Sequence, residues 1–112
     1  MFCQRETLES RPIVEGLVGT YLGSGEAMNA MHWVFKDKTA LPAHSHPAVQ
    51  FGYIVRGAFD TVIGDEKARL KAGDAYYIPP NVEHAFEAVG ETEAIDVFSP
   101  ARADIPPWSR EV

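Results

Sequence analysis

The sequence is poor in the features that hold together secreted mini-proteins or anchor membrane proteins. A single cysteine, Cys3, stands among 112 residues, so no intrachain disulfide can form. The opening MFCQRETLES lacks the apolar core of a secretory signal, and a cytoplasmic location is the expectation. No apolar run approaches the roughly 18 residues of a membrane span, so no membrane partner is expected. Positive charge is scarce too: 10 Lys and Arg face 16 Asp and Glu, a formal net charge of -6. That sign, with no basic cluster, excludes a phosphate-tracking nucleic-acid binder. It also means that an anionic ligand needs a local positive site to be held. Long amphipathic stripes at helical spacing are absent, and the best helix candidate is merely the polar segment 1–10.

What is present reads as an all-β chain. Apolar residues make up 46% and aromatic residues 11%, enough for one core, and the length suits a single domain spanning 1–112. Such a core needs no structural metal, so a metal here is expected to be functional. The 9 glycines and 8 prolines punctuate short apolar runs, and no internal repeat breaks that pattern. Candidate strands cover 13–22, 28–35, 49–56, 59–63, 67–70, 75–78, 85–89 and 94–98. Period-2 alternation sets Trp33 and Phe35 against His32 and Val34, and Phe51, Tyr53 and Val55 against Gln50, Gly52 and Ile54. Evenly spaced short strands point to a sandwich or barrel, about 13–99, followed by an irregular tail, 100–112. In that tail Trp108 is expected to pack on the barrel or on a second subunit.

The stretch richest in chemistry is Pro42-Ala43-His44-Ser45-His46-Pro47-Ala48-Val49-Gln50. His44 and His46 are two apart and point the same way in extended chain, and Gln50 shares their parity. A third histidine, His84, starts a later candidate strand. Three imidazoles and one amide carbonyl suit a divalent transition metal (nickel, zinc, manganese or iron) with positions left open for substrate. The spacing His44-x-His46-x3-Gln50-x6-Gly57, then Gly73-x5-Pro79-x-Asn81-x2-His84, resembles the two motifs of the cupin superfamily. That resemblance implies a double-stranded β-helix, or jelly-roll barrel, with the metal in the barrel mouth. The chain departs from the cupin pattern at Lys38, Asn81 (both usually Gly), Gln50 (usually Glu) and Ala88 (usually Asn). Asn81 is the non-glycine residue best able to adopt a left-handed turn, and Gly57 and Gly73 are expected at tight turns. Gln50 in place of a carboxylate gives an all-neutral ligand set, which leaves the ion a stronger Lewis acid and anion anchor. Its alternative role is a hydrogen bond to His46 or to a water.

A second cluster lies in Ile95-Asp96-Val97-Phe98-Ser99-Pro100-Ala101-Arg102. Asp is depleted in strands, and parity puts Asp96 with Phe98 on one face and Ile95 with Val97 on the other. Parity alone favours Asp96 facing solvent; lining a polar barrel mouth is the alternative. Taken with His44, His46 and Gln50, this segment is similar to the KdgF family of pectin and alginate degradation. KdgF-type cupins linearise 4,5-unsaturated monouronates to the open-chain keto-aldehyde with a divalent metal. The resemblance implies His44, His46, Gln50 and His84 as ligands, Asp96 as proton carrier, Arg102 as carboxylate anchor and Phe98 against the sugar face. The implied partner is a small anionic sugar acid.

Other residues carry weaker signals. His32 reads as a structural histidine, Tyr53, Arg56 and Tyr76 as pocket-lining or packing residues, and Cys3 as no catalytic thiol. Two rival functions share the same histidines: an iron-dependent dioxygenase and a non-catalytic binder of a small acid or sugar. A homodimer through edge strands is expected, with the amino-terminal segment and Trp108 as cover for such an edge.

Overall fold

The structure, a computed structural model, describes residues 2–102. Eight antiparallel strands follow a single 3-10 turn, Arg5–Thr7: β1 (Ser10–Val14), β2 (Leu17–Ser24), β3 (Asn29–Phe35), β4 (Ala40–His44), β5 (Val49–Ile63), β6 (Glu66–Lys71), β7 (Ala75–Ile78) and β8 (His84–Ser99). The polar amino-terminal helix candidate is thus reduced to that one turn. Trp108 and most of the expected tail lie outside the described residues.

Two long strands make the barrel. β5 and β8 pair from Val49↔Ser99 to Ile63↔His84, and each bends midway. Their first and last halves belong to opposite walls: β3 and β7 flank the half formed by residues 49–54 and 92–99, while β4 and β6 flank the half formed by residues 58–63 and 84–89. This is the jelly-roll barrel that the motifs imply. Sequence reading splits each long strand in two at Gly57 and Gly90, because glycine usually marks a turn. Gly57 in fact sits at a bend inside β5, at φ +84, where a Cβ would collide with the Glu91 carbonyl and with Thr92. Conversely, the single strand expected at 13–22 is two, because Gly16 at φ +88 turns the chain between β1 and β2. β4 has no counterpart among the candidate strands: it carries Pro42 and lies at the sheet margin, paired among the described residues with β8 alone.

The core fills the space between the walls. Leu17, Phe35, Ile54, Phe59, Ile78 and Phe86 are buried together, with Phe59 edge-on to Phe35 (centroids 4.9 Å) and tilted against Phe86 (5.2 Å). Each such side chain contributes about 1.5–3 kcal/mol by leaving water. The bulky residues of early β5 point the other way: Phe51, Tyr53, Val55 and, on β7, Tyr77 are 42–54% exposed on the outer face. Gln50, Gly52 and Ile54 are the ones facing in.

Asn81 takes the left-handed conformation expected of it, at φ 63, and its N–H donates to the His46 carbonyl at 2.8 Å. Lys38 is also left-handed, at φ 66, with an exposed side chain. An L side chain costs about 1–2 kcal/mol there, and glycine recovers part of it against its own entropy in the unfolded chain. Lys38→Gly should therefore raise stability by about 0.5–1 kcal/mol, read as a higher urea midpoint at unchanged slope.

Candidate metal centre

The candidate residues come together at one end of the barrel. His44 closes β4 opposite His84, the first residue of β8. His46 lies in the link from β4 to β5, and Gln50 is the second residue of β5, facing inward. The ligand atoms of His44, His46 and His84 lie within 4.8 Å of one another. Ring centroids are 4.3 Å apart for His44 and His84 and 4.9 Å for His46 and His84.

Backbone carbonyls determine where the ring protons sit. Nδ1 of His44 faces the Pro42 carbonyl at 2.8 Å, Nδ1 of His46 that of Ala48 at 2.9 Å, and Nδ1 of His84 that of Val82 at 2.8 Å. A carbonyl only accepts, so each Nδ1 donates and each neutral ring carries its lone pair on Nε2. Burial favours the neutral form of two of the rings: it pushes His84 down to about 4 and lowers His46, with the Arg102 charge adding to both shifts.

Gln50 is oriented by Asp96. Its Nε2 donates to Asp96 Oδ1 at 3.0 Å, which turns Oε1 towards Nε2 of His46, 3.1 Å away. Two lone pairs then face each other, an arrangement that lacks a proton to bridge it and suits a cation. His84 Nε2 is buried with no hydrogen-bond partner among the described residues, a second bare nitrogen in the same cluster. Three imidazole nitrogens and one amide oxygen make a donor set that fits a divalent transition metal and contains no carboxylate.

Asp96 is 3% exposed, so the solvent-facing orientation favoured by parity alone is wrong. The reason is that β8 alternates around the barrel interior, with Ala94, Asp96 and Phe98 inward and the aliphatic Ile95 and Val97 on the outer face. Burial raises its carboxyl to about 6, against the opposing pull of hydrogen bonds from Gln50, Tyr76 and Trp33. Arg102 holds its guanidinium 5.0 Å from the centre of the Phe98 ring, and its backbone N–H donates to buried Asn29 Oδ1 at 2.6 Å. His44, Gln50, Tyr76, Asp96, Phe98 and Arg102 all line one cavity of ≈ 270 Å³, whose deeper wall is apolar.

Sequence reasoning missed Asn29, Trp33 and Gly52 here. Gly52 carried a signal, since glycine inside a strand marks a close approach of other groups. Tyr53 and Arg56 do not reach the cavity: Tyr53 points outward, and Arg56 pairs with Glu91 at 2.7 Å on the surface. His32 Nε2 donates to the Glu93 carboxylate at 2.6 Å, away from the histidine cluster, in keeping with a structural role.

Known proteins resemble this chain in sequence and in fold. The pectin degradation protein KdgF of Dickeya dadantii is 45% identical over 56 residues, 49% of this chain and 51% of that protein. The chain spans about half the length of the curated relatives it matches, 51% and 48%. The structure of KdgF from a Halomonas species superposes with a TM-score of 0.88 at 28% identity, covering 93% of this chain and 96% of the other. An RmlC-like cupin from Shewanella frigidimarina gives 0.88 at 32% identity, covering 92% and 93%. The cupin domain profile matches residues 31–98, the span that holds all three clustered histidines, Gln50 and Asp96. Profile, sequence and fold converge, and the chain belongs to the cupin domain family as a KdgF-like member.

Proposed function

We propose that this protein is a metal-dependent enzyme that opens the ring of 4,5-unsaturated monouronates from pectin or alginate breakdown. The reaction is an isomerisation: the anomeric hydroxyl loses its proton, the bond from C1 to the ring oxygen breaks, and an aldehyde forms at C1. The ring oxygen leaves as the enolate of C5, which takes a proton at C4 and becomes a ketone. No electron is gained or lost.

One observation carries this reading: a buried carboxylate, Asp96, shares a cavity with His44 of the histidine cluster and is joined to His46 through Gln50. A carboxyl near 6 is mostly ionised at neutral pH, able to take the hydroxyl proton and to return one to C4. Arg102, over Phe98, supplies the local positive charge that an acidic chain needs to hold a substrate carboxylate. Phe98 offers an apolar face to the sugar ring. A divalent metal held by His44, His46, Gln50 and His84 would supply positive charge for the developing enolate oxygen.

Purified metal-loaded protein should abolish the ultraviolet absorbance of the enol ether in an unsaturated monouronate, and chelated protein should not. No absorbance change above buffer overturns the substrate assignment. Oxygen uptake with phenolic or thiol substrates instead would favour the dioxygenase, and thermal stabilisation without product would favour the binder.

The outer face of Phe51, Tyr53, Val55 and Tyr77 supports a homodimer, because Phe51 and Tyr77 are cross-strand partners and the four make one contiguous apolar surface. Sedimentation should report a dimer that Phe51→Glu converts to monomer. A lone exposed cysteine suits a cytoplasmic setting. No helix among the described residues is long and apolar enough to cross a membrane.

A further inference from the structure

Three strands place Tyr76, Gly52 and Asp96 in one row. Gly52 of β5 pairs with Tyr76 of β7 on one side and with Asp96 of β8 on the other. All three positions face the barrel interior. In an antiparallel sheet, residues two strands apart are separated by the side chain between them, about 9–10 Å across. Here the middle residue has no side chain. The Tyr76 ring and the Asp96 carboxylate occupy that vacancy from either side and meet in a hydrogen bond, with the hydroxyl donating. A Cβ built on Gly52 would fall onto Tyr76 Cζ and Cε2 and onto Asp96 Oδ1 at once. Gly52 is not left-handed, so the requirement for glycine is one of space rather than of backbone conformation.

We propose that Gly52 and Tyr76 are positioning residues for Asp96: the notch at 52 lets the phenol clamp the carboxylate in the orientation that serves both the cavity and Gln50. Oδ1, which the Gly52 notch accommodates, is the same oxygen that accepts from the Gln50 amide. Loss of the clamp should therefore free the carboxylate to rotate and lower the rate of proton transfer, with little effect on substrate capture, which falls to Arg102 and Phe98. The catalytic consequence rests on the ring-opening reading; the clamp itself does not.

The test uses Gly52→Ala, Tyr76→Phe and the double variant Gly52→Ala/Tyr76→Leu in metal-loaded protein. Displacement of a reacting group by about 1 Å costs on the order of 10²-fold. Gly52→Ala should lower kcat by that amount with KM within about threefold and bound metal unchanged. Tyr76→Phe, which keeps the ring and loses the donor, should lower kcat about tenfold. The double variant relieves the crowding and should regain thermal stability while kcat stays low. Recovery of kcat in it, or a Gly52→Ala variant of wild-type kcat, overturns the inference. A readout independent of turnover is the hydroxyl proton of Tyr76 by nuclear magnetic resonance of tyrosine-labelled protein. It should appear as an exchange-protected signal that Gly52→Ala and Asp96→Ala both remove. If wild-type protein leaves the uronate intact but shows that signal and its loss, the ring-opening reading fails and the clamp stands. If the signal survives Gly52→Ala, the clamp fails.

Discussion

Asp96→Asn is expected to lower the ring-opening rate by about 10²–10⁴-fold, the usual contribution of a positioned acid-base group, while metal content stays at the wild-type level. The amide keeps the shape of the carboxyl and an oxygen able to accept from the Gln50 amide, so Gln50 remains turned towards His46. What the variant cannot do is take up and return a proton. The same substitution should change stability in the opposite direction. The Asp96 carboxyl sits at about 6 in the folded protein against an ordinary 3.8, chiefly because it is buried. Between those values the folded chain holds a proton that the unfolded chain has released. Its favourable contribution is complete below 3.8 and is lost as pH rises through 6. Above that the folded protein carries a buried charge at a cost of roughly 3 kcal/mol. Asparagine removes the charge but presents an N–H₂ where Tyr76 and Trp33 had an acceptor, which returns part of the gain. Metal-free Asp96→Asn should thus be more stable than wild type at pH 7.5 by about 1–2 kcal/mol, with the advantage gone by pH 4. Urea titrations at the two pH values check this. A variant less stable at both would mean that the carboxylate is a structural keystone rather than a strained functional group.

That trade between activity and stability bears on which parts of the site the sequence could reveal. The candidate donors were legible as a group because a metal would need several of them converging on one point, and chain geometry restricts how close neighbours can supply them. His44-x-His46 and Gln50 are such a local group, and His84 falls into place across the β4–β8 pair. Asp96 was legible as a member of the site only through its resemblance to a family. Period-2 parity separates it from Ile95 and Val97 without saying which face is the interior, and the usual preference for aliphatic residues inside points the wrong way. The same inversion holds on β5, where Phe51, Tyr53 and Val55 face out and Gln50 and Gly52 face in. An interior that houses a polar site reverses the hydrophobic pattern along the strands that line it, and a bulky outer face needs a partner to cover it. Gly57 and Gly90 misled in another way. Both are left-handed, which ordinarily ends a strand, yet β5 and β8 continue past them because each strand must bend from one barrel wall to the other. Asn29 and Trp33 act through contacts distant in sequence, Asn29 with the Arg102 backbone and Trp33 with Asp96, and no local pattern encodes such pairs.

His84→Ala is expected to abolish metal retention through gel filtration, because this side chain has no other work at its buried end. Its Nδ1 is committed to the Val82 carbonyl, while Nε2 is buried without a partner among the described residues. Structural four-ligand sites bind zinc with about 10–16 kcal/mol, so one ligand in four corresponds to about 3–4 kcal/mol, or roughly 10²–10³-fold in affinity. The rise in melting temperature that added metal gives the wild type should shrink accordingly. Removing the imidazole from metal-free protein has a second effect, with a sign set by burial. His84 sits at about 4 in the folded protein against an ordinary 6.5, so between those values the unfolded chain binds a proton that the folded chain refuses. The stability this neutral ring allows is complete above 6.5 and is lost as pH falls through 4, by roughly 3 kcal/mol. His46, lowered for the same reason, acts in the same direction, and Asp96 in the opposite one. Metal-free wild type should therefore lose stability on acidification from pH 6.5 to 4 by less than its two histidines alone would cause. His84→Ala should flatten that acid limb further, and Asp96→Asn should steepen it. Chemical denaturation of the three metal-free proteins across this range reads both slopes. An unchanged slope in His84→Ala would show that the ring takes up its proton alike in the folded and unfolded chains, so that burial does not hold it neutral through the acid range.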